Sequence, residues 1–224
     1  MSQKCLSVSF AATLLLGLAV AQMDRAAAAT VQFASPNWDY NNSDPGLQPN
    51  WLVAIDDDTA GSFRVNLTIA SPTPSTGDML GFGFDTLLTG LNLSDLTFVS
   101  SSTGEGITGL FSDTLSCGAG CNFNGDGRSP FDYIVRLGSQ GSSAGLITEF
   151  EFLIANLAGI PLPEAFTRVG IRAQSVGGNG STKDINSTPE TPQPIPLPAA
   201  LPLLLSALAG FGWIGWRRRL PVPA

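Results

Sequence analysis

The chain contains no histidine, and this removes most familiar hydrolytic chemistry at once. Ser-His-Asp and Cys-His systems need an imidazole to carry the proton, and hydrolytic zinc sites depend on it as a ligand. Oxygen chemistry remains. Asn122, Asn124 and Asp126, followed by Gly127, place oxygen donors at every second position of a loop, the opening spacing of a hard-oxygen calcium site. The position where such a loop needs a bidentate carboxylate is Tyr133. Asp56, Asp57 and Asp58 form a second oxygen cluster behind an apolar run. Structural calcium is the one cofactor these clusters suggest. Asn, Asp and Gly are also ordinary turn residues that bond their own backbone, so each cluster has a purely local reading. Glu149 and Glu151 are an acid pair two apart, formally enough for glycoside hydrolysis but better suited to a solvated strand face. Trp38, Tyr40 and Trp51 lie close together and could stack on sugar rings, although tryptophans of a β-sandwich more often belong to its core.

Of the three cysteines Cys5 lies in the expected leader, and the other two complete the inventory. Cys117 and Cys121 bracket Gly-Ala-Gly and read as a local disulfide in an oxidising compartment. So small a ring stabilises by only about 2 kcal/mol on the chain-entropy estimate, so its role is to hold a turn. Two thiolates without histidine or a second cysteine pair do not complete a tetrahedral metal site.

The elements that position these residues are strands. In Phe63-Arg64-Val65-Asn66-Leu67-Thr68-Ile69 the apolar and polar side chains alternate, and Phe131 to Leu137 does the same with one lapse at Ile134. Phe150 to Ile154 and Val169 to Ala173 repeat the pattern. Val31 to Ala34, Trp51 to Ile55, Met79 to Phe84, Leu96 to Ser100 and Ile107 to Leu115 are further candidates, separated by Gly- and Asn-rich turns. Only Pro163 to Phe166 hints at a helical turn. This predicts an all-β, two-sheet antiparallel sandwich of the jelly-roll or cohesin-like kind over residues 30–181. Residues 182–194, polar and proline-bearing, read as an extended linker.

Between residues 30 and 187 sixteen acidic side chains face six basic ones, which argues against nucleic acid and anionic membrane surfaces as partners. The ends of the chain carry the stronger signals. Lys4 and the apolar run from Leu6 to Val20 form a signal peptide, residues 1–29, with small-residue cleavage sites after Ala21 or Ala29. At the other end, Ile195-Pro196-Leu197-Pro198-Ala199-Ala200 leads into an apolar run over residues 199–216 that stops at Arg217, Arg218 and Arg219. An apolar helix of that length rises roughly 27 Å, enough to cross the hydrocarbon core, and the guanidinium cluster keeps its end cytoplasmic.

Residues 195–224 resemble the C-terminal sorting signal of bacterial PEP-CTERM proteins, in its VPLPA variant, with Ile195 where that family has Val. The resemblance implies a precursor that passes the secretion translocon, pauses in the inner membrane and is processed by an exosortase near the proline motif. The product is then expected at the cell surface or in the extracellular matrix of a Gram-negative bacterium, as a non-enzymatic structural or adhesive component. A carbohydrate-binding module recognising exopolysaccharide is the alternative. Exposure of Trp38 and Trp51 separates the two, because a stacking platform must face solvent.

Overall fold

The computed structural model describes residues 29–41, 45–57, 61–125, 127–139 and 145–190. Ten strands make up nearly all of the regular structure among these residues: β1 (Thr30–Phe33), β2 (Trp51–Asp56), β3 (Ser62–Ile69), β4 (Asp78–Thr86), β5 (Leu96–Ser101), β6 (Ile107–Thr114), β7 (Phe131–Leu137), β8 (Glu149–Ala155), β9 (Phe166–Val176) and β10 (Gly180–Asn186). They form two five-stranded antiparallel sheets, ordered β1-β2-β3-β8-β5 and β10-β9-β4-β7-β6. The architecture is an all-β sandwich. A single helical turn, Leu162–Ala165, stands where proline-led helix was expected.

Alternation in the first sheet produces one dry and one wet face. Trp51, Val53 and Ile55 of β2 point inward with Phe63, Val65 and Leu67 of β3 and Phe150, Phe152 and Ile154 of β8, while the residues between them stay partly exposed. Register matches the inward sets, with Val53 opposite Leu67 and Val65 opposite Phe152. From the second sheet Phe82, Phe84, Val135, Val169 and Ile171 meet them. Phe82 touches Phe152 with ring centroids 6.0 Å apart, and Phe166 packs edge-on against Phe63 at 5.3 Å. Such pairs add about 0.5–1.5 kcal/mol each beyond burial of their area.

The middle of the second sheet, around β4 and β9, is dry on both faces, because the β6–β7 connection folds back over its outer side. Leu80, Cys117, Cys121, Phe123, Phe131, Ile134 and Ile185 form a separate apolar cluster there. The lapse at Ile134 is thereby explained: its side chain leaves the main core only to enter this second one. Glycines of β4 and β9 make room for the cover. A Cβ on Gly83 would lie 2.6 Å from the Phe131 ring, and one on Gly81 would lie 2.7 Å from the Cys121 sulfur.

The sandwich extends further along the chain than its sequence suggests. Residues 182–186, expected to begin a linker, are most of β10, and Thr182, Asp184 and Asn186 are buried. A backbone bridge from Gln32 to Glu190 ties the following segment to β1. These polar side chains suggested solvent; their period-two spacing places them in an interior that supplies hydrogen bonds. No helix among the described residues is long and apolar enough to cross a membrane. The signal peptide (1–28 of it), the apolar tail and its motif residues Ile195 to Ala200 and Arg217 to Arg219 lie outside the described residues.

Candidate functional site

The aromatic trio is an interior hydrogen-bond relay and presents no platform. Trp51 is fully buried and Trp38 is 5% exposed. The Trp38 indole N–H donates to the Trp51 carbonyl at 3.0 Å, and the Trp51 indole N–H donates to Asp184 Oδ2 at 2.6 Å. Asp184 Oδ1 accepts from the Asn41 backbone N–H at 3.0 Å and from the Thr182 hydroxyl. Burial pushes the Asp184 carboxyl above the usual aspartate range, against the lowering influence of these donors and the nearby Arg128 guanidinium. Tyr40, packed at the edge of the core, has its phenol raised by burial and then by the Asp184 charge. Trp38 and Trp51 thus belong to the core, the reading favoured for sandwich tryptophans, and the alternative of a sugar-stacking platform with Tyr40 is not formed: both indole faces are spent inside the sandwich. Asp184 escaped notice because it sits in a polar stretch, and alternation of Thr182, Asp184 and Asn186 was the signal.

Cys117 and Cys121 are disulfide-bonded, with Cα atoms 5.0 Å apart and both residues buried. The ring turns its carbonyls onto two arginines. Arg136 donates to the oxygens of Cys117 at 3.2 Å and Ala119 at 2.9 Å. Arg172, from β9 beneath the loop, donates to the ring's Gly120 oxygen at 3.5 Å and to the oxygens of Ala173 and Thr182 outside the ring. Burial draws both guanidinium pKa values down; the Asp184 charge opposes this at Arg172 and the Asp78 charge does so at Arg136. The disulfide thus fixes acceptors over partly desolvated cations, a structural task, and its sulfurs are closed to exchange by burial.

The oxygen clusters are divided. Asp58 and Asp126 lie outside the described residues. The Lys183 ammonium donates to the Asn124 backbone carbonyl, Asn122 forms a backbone bridge with Ser116, and Arg128 spans from the Lys183 carbonyl to Asp39. Tyr133 points away from that loop and its hydroxyl accepts from the Leu91 N–H at 3.2 Å. Asp57 accepts from the Ala29 N–H at 2.7 Å, which anchors the start of β1, and Asp56 pairs across β2 and β3 with Arg64 in register. Among the described residues no three Cys, Asp or Glu side chains converge. Glu149 and Glu151 sit on the outer face of β8, where Glu151 pairs with Arg64 and accepts from Ser100.

One open hollow carries polar groups that sequence reasoning did not single out. It measures about 290 Å³ and lies where the ends of β4, β6 and β7 meet, lined by Thr86, Leu88, Thr89, Ser112, Asp113, Asp132 and Tyr133. Ser112 pairs with Tyr133 and Thr114 with Phe131, so Asp113 stands opposite Asp132 across the two strands. Asp132 spends Oδ2 on the Thr86 N–H at 2.8 Å. Neighbouring Asp85 is neutralised by a two-point pairing with Arg168, which leaves Asp113 and Asp132 as the carboxylates of the hollow. Asp113 adopts φ +47°, a left-handed conformation that Asp and Asn tolerate better than most residues. The chain matches no protein-family model, no curated protein and no solved structure.

Proposed function

We propose that this protein is an exported, non-enzymatic structural or adhesive component of the bacterial surface or extracellular matrix. Its sandwich is of the jelly-roll or cohesin-like kind, in which successive strands change sheet, as β3, β4, β5 and β6 do. A leader directs the precursor to the translocon, and the tail at 195–224 holds it in the inner membrane for an exosortase. The observation that favours a structural role over a tryptophan-based sugar-binding module is the burial of Trp38 and Trp51 behind Asp184. The Cys117–Cys121 disulfide supports passage through an oxidising compartment. The acidic surface suits neutral or cationic partners and disfavours nucleic acid.

Intact-mass measurement on the extracellular form tests the reading. The expected product lacks the leader up to Ala21 or Ala29 and lacks the tail from the neighbourhood of Ile195 to Ala200. Recovery of the unprocessed chain from the cytosol overturns it.

A further inference from the structure

We infer that the hollow at the β4–β6–β7 end of the sandwich is a binding site for one ring of a neutral sugar. Its volume, about 290 Å³, approaches the ~300 Å³ at which small-molecule sites begin. Its chemistry is mixed in the way an uncharged polyol requires. Asp113 and the second oxygen of Asp132 are strong acceptors for ligand hydroxyls. Thr89 and Ser112 donate or accept, and Leu88, 4% exposed, lies at the floor of the hollow. Tyr133 is an independent pointer. The residue is only 8% exposed, its hydroxyl accepts from Leu91, and among the described residues its own proton meets no acceptor. A phenol that accepts one hydrogen bond keeps its own O–H to donate, and Tyr133 borders the hollow.

Other occupants fit less well. Acidic sugars and phosphates meet two carboxylates and no neutralising base, since Arg168 is committed to Asp85. A bare divalent cation finds only two acidic ligands, one with an oxygen already bonded to backbone. The hollow beside Tyr40 is of similar size, but its Asn50 amide is spent on the Pro72 carbonyl and the Tyr40 hydroxyl on Ser35. Carboxylates placed opposite each other on adjacent strands destabilise a sheet, so the pair is costly without a ligand to accept from. Leu88 and Thr89 also border a smaller hollow of about 110 Å³ whose rim includes Leu157, 88% exposed, which extends the apolar surface beside the polar one.

This deepens the matrix role proposed above by giving its adhesive contact a chemistry, yet it stands apart from tail processing, which mass measurement reads separately. The test uses the full chain in a detergent without a sugar headgroup, titrated with neutral gluco-, manno- and galacto-oligosaccharides, a deacetylated glucosamine oligomer and calcium chloride. At least one neutral oligosaccharide should bind at millimolar concentration or below, with NMR shifts in the wild type centred on Asp113, Asp132 and Tyr133. Asp113→Asn keeps the left-handed backbone and the shape, and Thr89→Ala removes one exposed hydroxyl. Each should weaken binding, the first by about tenfold, with a melting temperature that does not fall and that rises for Asp113→Asn as the opposed charges are relieved. The inference is overturned if no neutral oligosaccharide binds, if shifts fall elsewhere, if neither variant weakens binding, or if only the amine-bearing oligomer or calcium responds.

Discussion

Asp184 carries a carboxylate to a place water does not reach, and three donors meet it there: the indole of Trp51, the backbone of Asn41 and the hydroxyl of Thr182. Desolvation outweighs them and raises its pKa. The sign of the pH effect follows. Between the unfolded and the higher folded pKa the native state holds the proton more tightly. Its contribution to stability is therefore full below the ordinary aspartate range and falls as pH rises through the folded value. Asp184→Asn removes this dependence and turns an amide donor toward one of the existing donors, at a cost of about 1–3 kcal/mol. Urea unfolding of both forms from acid to neutral pH should show the wild type ahead by a margin that narrows as pH rises. A margin that widens instead would mean that the donors and Arg128 dominate over burial. Little of this was legible beforehand. Thr182, Asp184 and Asn186 look like linker residues, and only the network from Trp38 onward reveals why they alternate.

At the scale of elements, the two sheets differ in how openly the sequence announces them. In β2, β3 and β8 the wet face is polar, so period two reads directly. In β4 and β7 both faces are dry, and alternation survives only as small against large: Gly81 and Gly83 between Leu80, Phe82 and Phe84. The glycines are the mark of the cover, because the β6–β7 loop seats Phe131 and the disulfide where their side chains would be. Gly83→Ala tests this. No positive φ stands in the way of alanine here, and loss of chain entropy in the unfolded state would favour the variant by up to about 1 kcal/mol. Three atoms of the Phe131 ring within 2.8 Å of the new methyl oppose it. Overpacking should win and destabilise by about 1–3 kcal/mol in chemical denaturation. Gly106→Ala is the control: its methyl would meet Phe98 at an ordinary 3.5 Å, so it should be neutral or slightly stabilising. Equal behaviour of the two variants would show that the cover yields freely.

For the whole molecule the question is how an acidic sandwich and an apolar C-terminal run belong to one chain. The strands could be read from side-chain alternation, but the hollow could not. Asp113 and Asp132 are nineteen positions apart in the chain and become neighbours only through the β6–β7 register. Pro196 and Pro198 decide what the tail can be. Proline removes a backbone donor and keeps the residue before it out of helical conformation, so the motif before the apolar run should stay extended at the membrane surface, in the form a peptidase cleft binds. With alanine at both positions helix can form between Ile195 and Pro202, and a span of 22 residues over 195–216, kinked at Pro202, would rise up to roughly 33 Å. That covers the full hydrocarbon thickness and would draw the proposed processing motif into lipid, where an extended backbone has no partners for its polar groups. The Pro196→Ala, Pro198→Ala double variant should therefore accumulate in the membrane fraction with its leader removed and its tail intact by mass, while the wild type is released. Release of the variant at the wild-type rate and mass would show that the prolines have no part in processing, and would leave the tail as an anchor whose removal depends on other residues.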